Sequence, residues 1–181
     1  VAKGLAQALL DAGIITGGLG GKIGVVDTER RSAALYAHLG PFDVIELDPP
    51  YTTTRYLEAV RTFEKAGYPI IGVDQLSHAW AGSGGLLEKK EEIAKKNGRN
   101  DWNAFADITP EQNLFVDELL GSAAHLIVTM RSRTTWVVEK RMVHGQEKSV
   151  PKRLGLAPVQ RAGPEYEFTT LLNLDTDGNR A

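Results

Sequence analysis

Four short apolar segments alternate with segments of helical periodicity, and this alternation restricts the fold more than any other feature of the chain. Buried strands are predicted at residues 22–27, 42–47, 69–74 and 125–129. Helical spacing of apolar side chains lies between them, at residues 30–39, 54–66, 86–96 and 109–120, and a loop is predicted at residues 77–85. Strands that alternate with helices build parallel sheets covered by helices. We therefore expect an α/β fold with a mostly parallel central sheet flanked by helices.

The two ends of the chain depart from this alternation. Residues 2–10 have helical spacing, and the C-terminal third is rich in β-type segments. A hairpin is predicted from residues 134–143 and 149–152 around Gly145, and a final strand at residues 167–174. No repeat or low-complexity linker interrupts the chain, so we expect one domain over residues 1–181 whose β-rich part extends the central sheet.

Composition excludes several classes of protein. The 181 residues contain no cysteine, which rules out disulfides, a thiolate nucleophile and a thiolate metal site. The 21 Lys and Arg nearly balance 23 Asp and Glu, which argues against a globally basic nucleic-acid binder. No apolar run reaches the length of a membrane span, and residues 1–30 do not have the pattern expected of a signal peptide. We expect a cytoplasmic protein without a membrane partner.

Charged residues follow each predicted strand, where parallel sheets bind their ligands. These segments are Asp27-Thr28-Glu29, Asp48-Pro49-Pro50-Tyr51, Asp74-Gln75 and Met130-Arg131-Ser132. Three of them supply a carboxylate and the fourth supplies a guanidinium. Such a set suits a metal-bound polyphosphate.

Two of these strand ends have the form of nucleotide-binding elements. Residues 70–74 (IIGVD) are typical of a Walker B strand, whose acid holds the water shell of Mg²⁺. In residues 25–29 (VVDTE), the acid of a dinucleotide-binding fold would accept from a ribose hydroxyl, whereas in an ATPase Glu29 would instead orient the attacking water. The structural alternative for each acid is that it caps the turn or helix that follows.

The glycine-rich residues 17–22 do not match the sequence signature of a phosphate-binding loop. The signature G-x-x-x-x-G-K-[ST] requires glycine where Thr16 stands and a hydroxyl residue where Ile23 stands, between a strand and a helix. Here a strand follows, so no helix N-terminus directs the amide groups at a phosphate. A flexible turn is the interpretation that remains.

The tetrapeptide Asp48-Pro49-Pro50-Tyr51 matches amino-methyltransferases that act on adenine or cytosine in DNA. In those enzymes the Asp accepts from the exocyclic amine and the Tyr stacks on a flipped base. Their glycine-rich loop for S-adenosylmethionine follows a strand, whereas the glycines here precede one. The alternative is a rigid turn with a packed tyrosine.

A strip of basic residues suggests a third function. Between residues 140 and 161 one acid, Glu147, accompanies six basic residues: Lys140, Arg141, Lys148, Lys152, Arg153 and Arg161. The strip suits phosphate, which would make the chain a non-catalytic nucleic-acid-binding module. The alternative, which the charge alone favours, is a solvated hairpin edge whose lysines discourage strand pairing between molecules. The four histidines are scattered without metal-ligand spacing, so we predict no zinc site.

Several long segments resemble one known family. They are residues 21–29 (GKIGVVDTE), 42–56, 70–85 (IIGVDQLSHAWAGSGG), 126–134 (LIVTMRSRT) and 152–168 (KRLGLAPVQRAGPEYEF). Together they resemble phage and prophage AAA-type, RecA-like ATPases linked to single-strand annealing and recombination, over nearly the whole chain. The resemblance implies a RecA-like P-loop NTPase core with a β-rich C-terminal part, ATP and Mg²⁺ as cofactors, homo-oligomers, and single-stranded DNA as a partner.

The resemblance also implies roles for individual residues. Asp74 holds Mg²⁺ through water, Glu29 orients the attacking water, and Arg131 or Ser132 senses the γ-phosphate. Asp27, Thr28 and Gln75 line the nucleotide. Lys152 and Arg153 reach a nucleotide in a neighbouring subunit.

Two departures from the family pattern stand out. Gln75 occupies a position where a small hydroxyl residue is commoner, and the 181 residues contain no Walker A signature. Residues 1–6, beginning with Val1, read as the helix that normally follows that loop, so we expect an N-terminally truncated core. Without the loop amides and lysine, most charge-assisted contacts to the β- and γ-phosphates are missing. We therefore expect this chain to bind ATP weakly and to hydrolyse it negligibly, and the parent protein to be an ATPase.

Overall fold

A computed structural model describes residues 7, 8, 11, 22–98, 103–143, 146–161, 163 and 167–174. The glycine-rich turn at residues 17–21 and most of the predicted helix at residues 2–10 lie outside the described residues. The chain divides into two compact units, Val1–Met130 and Arg131–Ala181, and each is described by itself.

The first unit is built on a four-stranded parallel sheet. Its strands are β1 (Ile23–Asp27), β2 (Asp43–Glu46), β3 (Ile70–Asp74) and β4 (His125–Val128), in the order β2-β1-β3-β4. Asp27 pairs with Glu46 on one side and with Asp74 on the other, so three strands end level with one another. The parallel α/β fold predicted from the alternation is confirmed.

Helices cover this sheet. They are the 3₁₀ helix Ser32–Leu39, α1 (Thr53–Lys65), α2 (Ser77–Ala81), α3 (Leu86–Asn97) and α4 (Ala104–Leu120). None of the described helices has the length and apolarity that crossing a membrane requires.

The main core lies between the sheet and α1. Buried side chains of α1 pack against buried residues of β1, β3 and α4, among them Tyr56, Phe63, Val26, Ile71 and Phe115. Phe63 lies directly on Gly24, because a Cβ atom at Gly24 would stand 2.7 Å from the Phe63 ring. The helix is therefore seated close to β1 at a point where only glycine leaves room.

Burial in the tertiary structure overrides two local predictions. The loop expected at residues 77–85 contains α2, whose Trp80 is buried with Leu86 and Ile108. The helix expected to begin at Thr109-Pro110 begins at Ala104 instead, so that prediction was wrong and Pro110 lies inside α4. Ala104 and Ile108 are 0% and 1% exposed, and their burial favours the earlier turns despite the missing proline N–H group.

The second unit contains an antiparallel hairpin. Strands β5 (Ser132–Val143) and β6 (Gln146–Pro158) pair from Ser132 opposite Pro158 to Val143 opposite Gln146, with an irregularity between Thr135 and Trp136. The hairpin was predicted, but it is longer than expected.

Two expectations for this region were wrong. The hairpin forms a separate two-stranded sheet within the described part of the chain, so it does not extend the parallel sheet. Each strand finds its partner in the adjacent segment of the chain, so the hairpin forms without pairing to a strand of the parallel sheet. The strand expected at residues 167–174 is absent from these described residues, where Leu171, Leu172 and Leu174 are exposed. A segment rich in β-forming residues becomes a strand only where other residues cover its apolar side chains.

Candidate functional site

Five of the predicted site residues lie together at the carboxyl ends of β1 and β3. These residues are Asp27, Thr28 and Glu29 on one strand end, and Asp74 and Gln75 on the other. The two strands are neighbours in the sheet, and Thr28 N donates to the Asp74 carbonyl at 2.7 Å. The parallel register therefore brings the two predicted nucleotide-binding elements side by side.

Asp27 organises the turn that follows β1. Its side chain is 2% exposed; Oδ1 accepts from Glu29 N at 2.7 Å and Oδ2 accepts from Ala33 N at 2.9 Å. Both carboxylate oxygens thus accept from backbone amides at the start of the 3₁₀ helix, in agreement with the structural alternative that this acid caps the turn or helix that follows. Its role in cofactor binding stays a prediction.

Thr28 joins the two strand ends. It is 1% exposed, and its hydroxyl oxygen accepts from Gln75 N at 3.0 Å. The same hydroxyl lies 3.2 Å from the Gln75 carbonyl and 2.9 Å from Nδ1 of His78. Because Thr28 and Gln75 are both buried, the hydroxyl of Thr28 fixes the backbone that carries Asp74 and Gln75.

Gln75 holds the side chain of Glu29. Its Nε2 donates to Oε1 of Glu29, while its own Oε1 is buried without a hydrogen-bond partner among the described residues. The Gln75 carbonyl accepts from the hydroxyl of Tyr56 at 2.8 Å. Burial raises the pKa of Tyr56 above its ordinary value, so this phenol remains a neutral donor. Gln75 therefore links the buried core to the carboxylate predicted to orient water.

Asp74 is only half buried, and a residue that the sequence analysis missed contacts it. Thr129, just after β4, donates from its hydroxyl to Oδ1 of Asp74 at 2.6 Å. The peptide bond between Asp74 and Gln75 is cis. The sequence signal for Thr129 was its position at the end of the fourth apolar segment, where ligand-facing residues are expected.

Tyr51 is packed rather than presented to a ligand. Its ring is 8% exposed and stacks on His78, with ring centroids 4.6 Å apart and an interplanar angle of 22°. Its hydroxyl donates to the Thr28 carbonyl at 3.3 Å. Gly84, at φ 76°, closes over the turn, since a Cβ there would lie 2.3 Å from Cβ of Pro50. One ring face is thus occupied, which does not favour the methyltransferase, whose tyrosine must stack on a base.

A cleft of about 190 Å³ opens at the carboxyl ends of β1 and β2. Its lining combines both signs of charge and consists of Asp27, Arg30, Arg31, Glu46, Leu47 and Asp48. Arg31 donates from Nε to Glu46 at 2.8 Å. The outer part of the strand-end region is therefore polar and open to solvent.

The remaining predicted residues belong to the second unit. Arg131 is exposed and precedes β5, Ser132 is the first residue of β5, and Lys152 and Arg153 lie in β6. In the register, Lys152 pairs with Val137 and Arg153 with Trp136. Their roles as γ-phosphate sensors and as residues that reach a neighbouring nucleotide stay predictions.

The side-chain oxygen atoms near the end of β3 are of the type that Mg²⁺ binds. Among the described residues, no group of three or more His, Asp or Glu side chains could hold a metal ion by itself. The half-buried Asp74 and the exposed Thr129 supply oxygen atoms, and Mg²⁺ characteristically uses one or two carboxylates together with water and phosphate oxygens. These residues therefore suit a magnesium ion delivered with a nucleotide.

The parallel sheet, its flanking helices and the acids at adjacent strand ends define a P-loop NTPase-like core. A model of the AAA domain family matches residues 15–157. The chain belongs to this AAA domain family, which indicates a nucleotide-binding, ATPase-like protein. No match was found among curated proteins or among solved structures.

Proposed function

We propose that the carboxyl ends of β1 and β3 bind Mg-ATP and carry the catalytic groups of an ATPase. The observation that supports this most strongly is the contact of Gln75 with Glu29 beside Asp74, on two neighbouring strands of an AAA-family chain. One acid is half buried next to a hydroxyl, and the other is held by an amide. Two carboxylates in such different surroundings suit two different tasks.

In this proposal Asp74 binds the water shell of Mg²⁺, and the hydroxyl of Thr129 orients its carboxylate. When bound, Mg²⁺ neutralises charge on the β- and γ-phosphates. Glu29 accepts a hydrogen bond from the attacking water and directs it toward the γ-phosphate, while Gln75 keeps the Glu29 carboxylate from rotating away. Asp27 and Thr28 position these groups through their backbone contacts.

Binding by these residues alone is expected to be weak. The 181 residues contain no G-x-x-x-x-G-K-[ST] sequence, whose amides and lysine provide most contacts to the β- and γ-phosphates. Carboxylates that hold a metal ion do not replace these contacts, because they donate no hydrogen bond to phosphate. We therefore propose weak Mg-ATP binding and negligible hydrolysis by this chain.

We further propose that this AAA-family protein is homo-oligomeric and phage- or prophage-encoded, and that it acts on single-stranded DNA in recombination or annealing. The long segments quoted above support this proposal by their resemblance to such ATPases. In an oligomer, Arg131 or Ser132 would sense the γ-phosphate, and Lys152 and Arg153 would approach the nucleotide of the next subunit.

Isothermal titration with Mg-ATP tests the nucleotide site. We expect binding weaker than micromolar, no measurable turnover, and loss of the remaining binding in Asp74→Asn. Asp43→Asn is the matched control, because it removes the same charge at the start of β2, the opposite end of the sheet. Low-micromolar binding with turnover would contradict the proposal that this chain binds Mg-ATP weakly. Equal losses of Mg-ATP binding in Asp74→Asn and Asp43→Asn would contradict a nucleotide site at Asp74.

A further inference from the structure

His78 lies beside the proposed nucleotide site, and the proposed ATPase chemistry assigns it no role. It is the second residue of α2, a few positions after Asp74 ends β3. Its Nδ1 lies 2.9 Å from the hydroxyl oxygen of Thr28, and its ring stacks on Tyr51. Tyr51 in turn donates to the Thr28 carbonyl at 3.3 Å. The half-buried imidazole is therefore held in position against Thr28, the residue that joins the ends of β1 and β3.

The hydroxyl of Thr28 has one proton to donate and acceptors on three residues within reach. They are the Asp74 carbonyl at 3.3 Å, the Gln75 carbonyl at 3.2 Å and Nδ1 of His78 at 2.9 Å. The two carbonyls already accept from Thr28 N at 2.7 Å and from the Tyr56 hydroxyl at 2.8 Å. A neutral imidazole has one ring nitrogen that accepts and one that donates. Nδ1 is thus the nearest acceptor and takes the Thr28 proton when it is the unprotonated nitrogen.

This direction of the hydroxyl proton suits the backbone of Gln75. The Thr28 oxygen accepts from Gln75 N at 3.0 Å, so a lone pair must face that amide while the proton points elsewhere. A hydroxyl without a fixed acceptor rotates to suit its neighbours. Donation to Nδ1 of His78 stops this rotation and therefore preserves the hydrogen bond that holds Gln75 N.

Gln75 transmits this constraint to the carboxylate predicted to orient water. It is 3% exposed, and its Nε2 donates to Oε1 of Glu29. A closely packed side chain has few alternative rotamers, so it moves together with its backbone. A displacement of the Gln75 backbone amide would therefore change the contact between Gln75 and Glu29.

We propose that His78 is a positioning residue of the site at the ends of β1 and β3. Its unprotonated Nδ1 accepts from Thr28, the oxygen of Thr28 accepts from Gln75 N, and the side chain of Gln75 holds Glu29. Stacking on Tyr51 fixes the plane of the imidazole, so that Nδ1 faces the hydroxyl. This inference rests on the proposed function for the role of Glu29, but the three contacts need neither ATP nor Mg²⁺.

¹H–¹⁵N spectra of the nucleotide-free chain report the contact of Gln75 with Glu29 through the two carboxamide protons of Gln75. Their resonances differ because one proton is bound to a carboxylate. His78→Phe keeps a flat ring for Tyr51 but removes Nδ1, and we expect the two resonances to shift toward those of an exposed glutamine. His78→Asn loses the ring but places an amide oxygen near the position of Nδ1, and we expect it to restore the resonances of the unmodified chain.

The matched control is His125→Phe, because His125 is exposed at the start of β4. We expect it to leave the Gln75 carboxamide resonances unchanged. A second readout needs no variant and uses long-range ¹H–¹⁵N correlations of the His78 ring at about pH 8, where an ordinary imidazole is neutral. Nδ1 should have the chemical shift of an unprotonated nitrogen, and Nε2 should have that of a protonated one.

Three results would overturn the proposal. They are a protonated Nδ1 in neutral His78, equal carboxamide shifts in His78→Phe and His125→Phe, and failure of His78→Asn to restore the signals that His78→Phe loses. If far-UV circular dichroism shows that His78→Phe does not fold, the protonation of Nδ1 in the unmodified chain decides the outcome. Titration with Mg-ATP separates this proposal from the nucleotide site, because a chain that binds no Mg-ATP contradicts the proposed function and leaves both readouts of His78 intact.

Discussion

Replacement of Thr28 by valine tests whether its hydroxyl holds the strand ends together. Valine has nearly the shape of threonine, so the change removes hydrogen bonds with little change in packing. Gln75 N, on a residue that is 3% exposed, loses its acceptor at 3.0 Å, and the 2.9 Å contact with Nδ1 of the half-buried His78 is lost as well. A buried group left unsatisfied costs about 1–3 kcal/mol, so we expect Thr28→Val to lower the free energy of unfolding by about 1–3 kcal/mol.

Urea unfolding followed by far-UV circular dichroism measures this difference. Thr62→Val is the matched control, because Thr62 is exposed on α1 and its hydroxyl donates to the Glu58 carbonyl of the same helix. We expect it to change stability by less than about 0.5 kcal/mol. Thr28→Ser keeps the hydroxyl and should lose only about 1 kcal/mol, for the buried methyl group. A loss in Thr28→Val no larger than that in Thr62→Val would refute the reasoning.

Two further predictions concern the packing beneath the site. Gly24→Ala should destabilise the protein by about 1–3 kcal/mol in urea unfolding, because the new methyl group meets the buried Phe63 ring. Gly72→Ala is its control, since the nearest atoms there lie at an ordinary 3.8 Å, and an equal loss would contradict the close seating of α1. Burial raises the pKa of Tyr56, so the stability that it contributes is intact below about pH 10 and is lost as the pH rises further. Unfolding free energies at about pH 9 and about pH 11 should therefore fall more in the unmodified protein than in Tyr56→Phe, and equal falls would contradict this assignment.

The fold and part of the site could be predicted because their signals are local. Residues 70–74 and 25–29 are apolar segments that end in acids, and such segments indicate buried parallel strands wherever they occur. Since the carboxyl ends of parallel strands share one edge, the location of Glu29 and Asp74 at the same edge could be predicted without knowledge of the strand order. The order β2-β1-β3-β4 then placed them on adjacent strands.

The rest of the site depends on contacts between residues distant in sequence. Thr129 meets Asp74 across 55 positions, and His78 meets Thr28 across 50, so no local pattern contains either pair. The same reason explains the start of α4, where burial of Ile108 against Trp80 outweighs the helix-start signal at Pro110. The hairpin itself was predicted, but its separation from the parallel sheet was not, because a strand pattern does not identify the sheet that the strand joins.

Paramagnetic relaxation by Mn²⁺-ATP tests the proposed nucleotide site most directly, since it locates even weak binding on the ¹⁵N-labelled chain. The metal at Asp74 should broaden the backbone amide resonances of Glu29, Gln75 and Thr129 first, and Asp74→Asn should abolish the effect while Asp43→Asn preserves it. Mn²⁺ added without ATP serves as the control for binding of the bare ion. If the resonances of these three amides stay sharp while others broaden, a nucleotide site at the ends of β1 and β3 is contradicted. Broadening that persists unchanged in Asp74→Asn would contradict it as well.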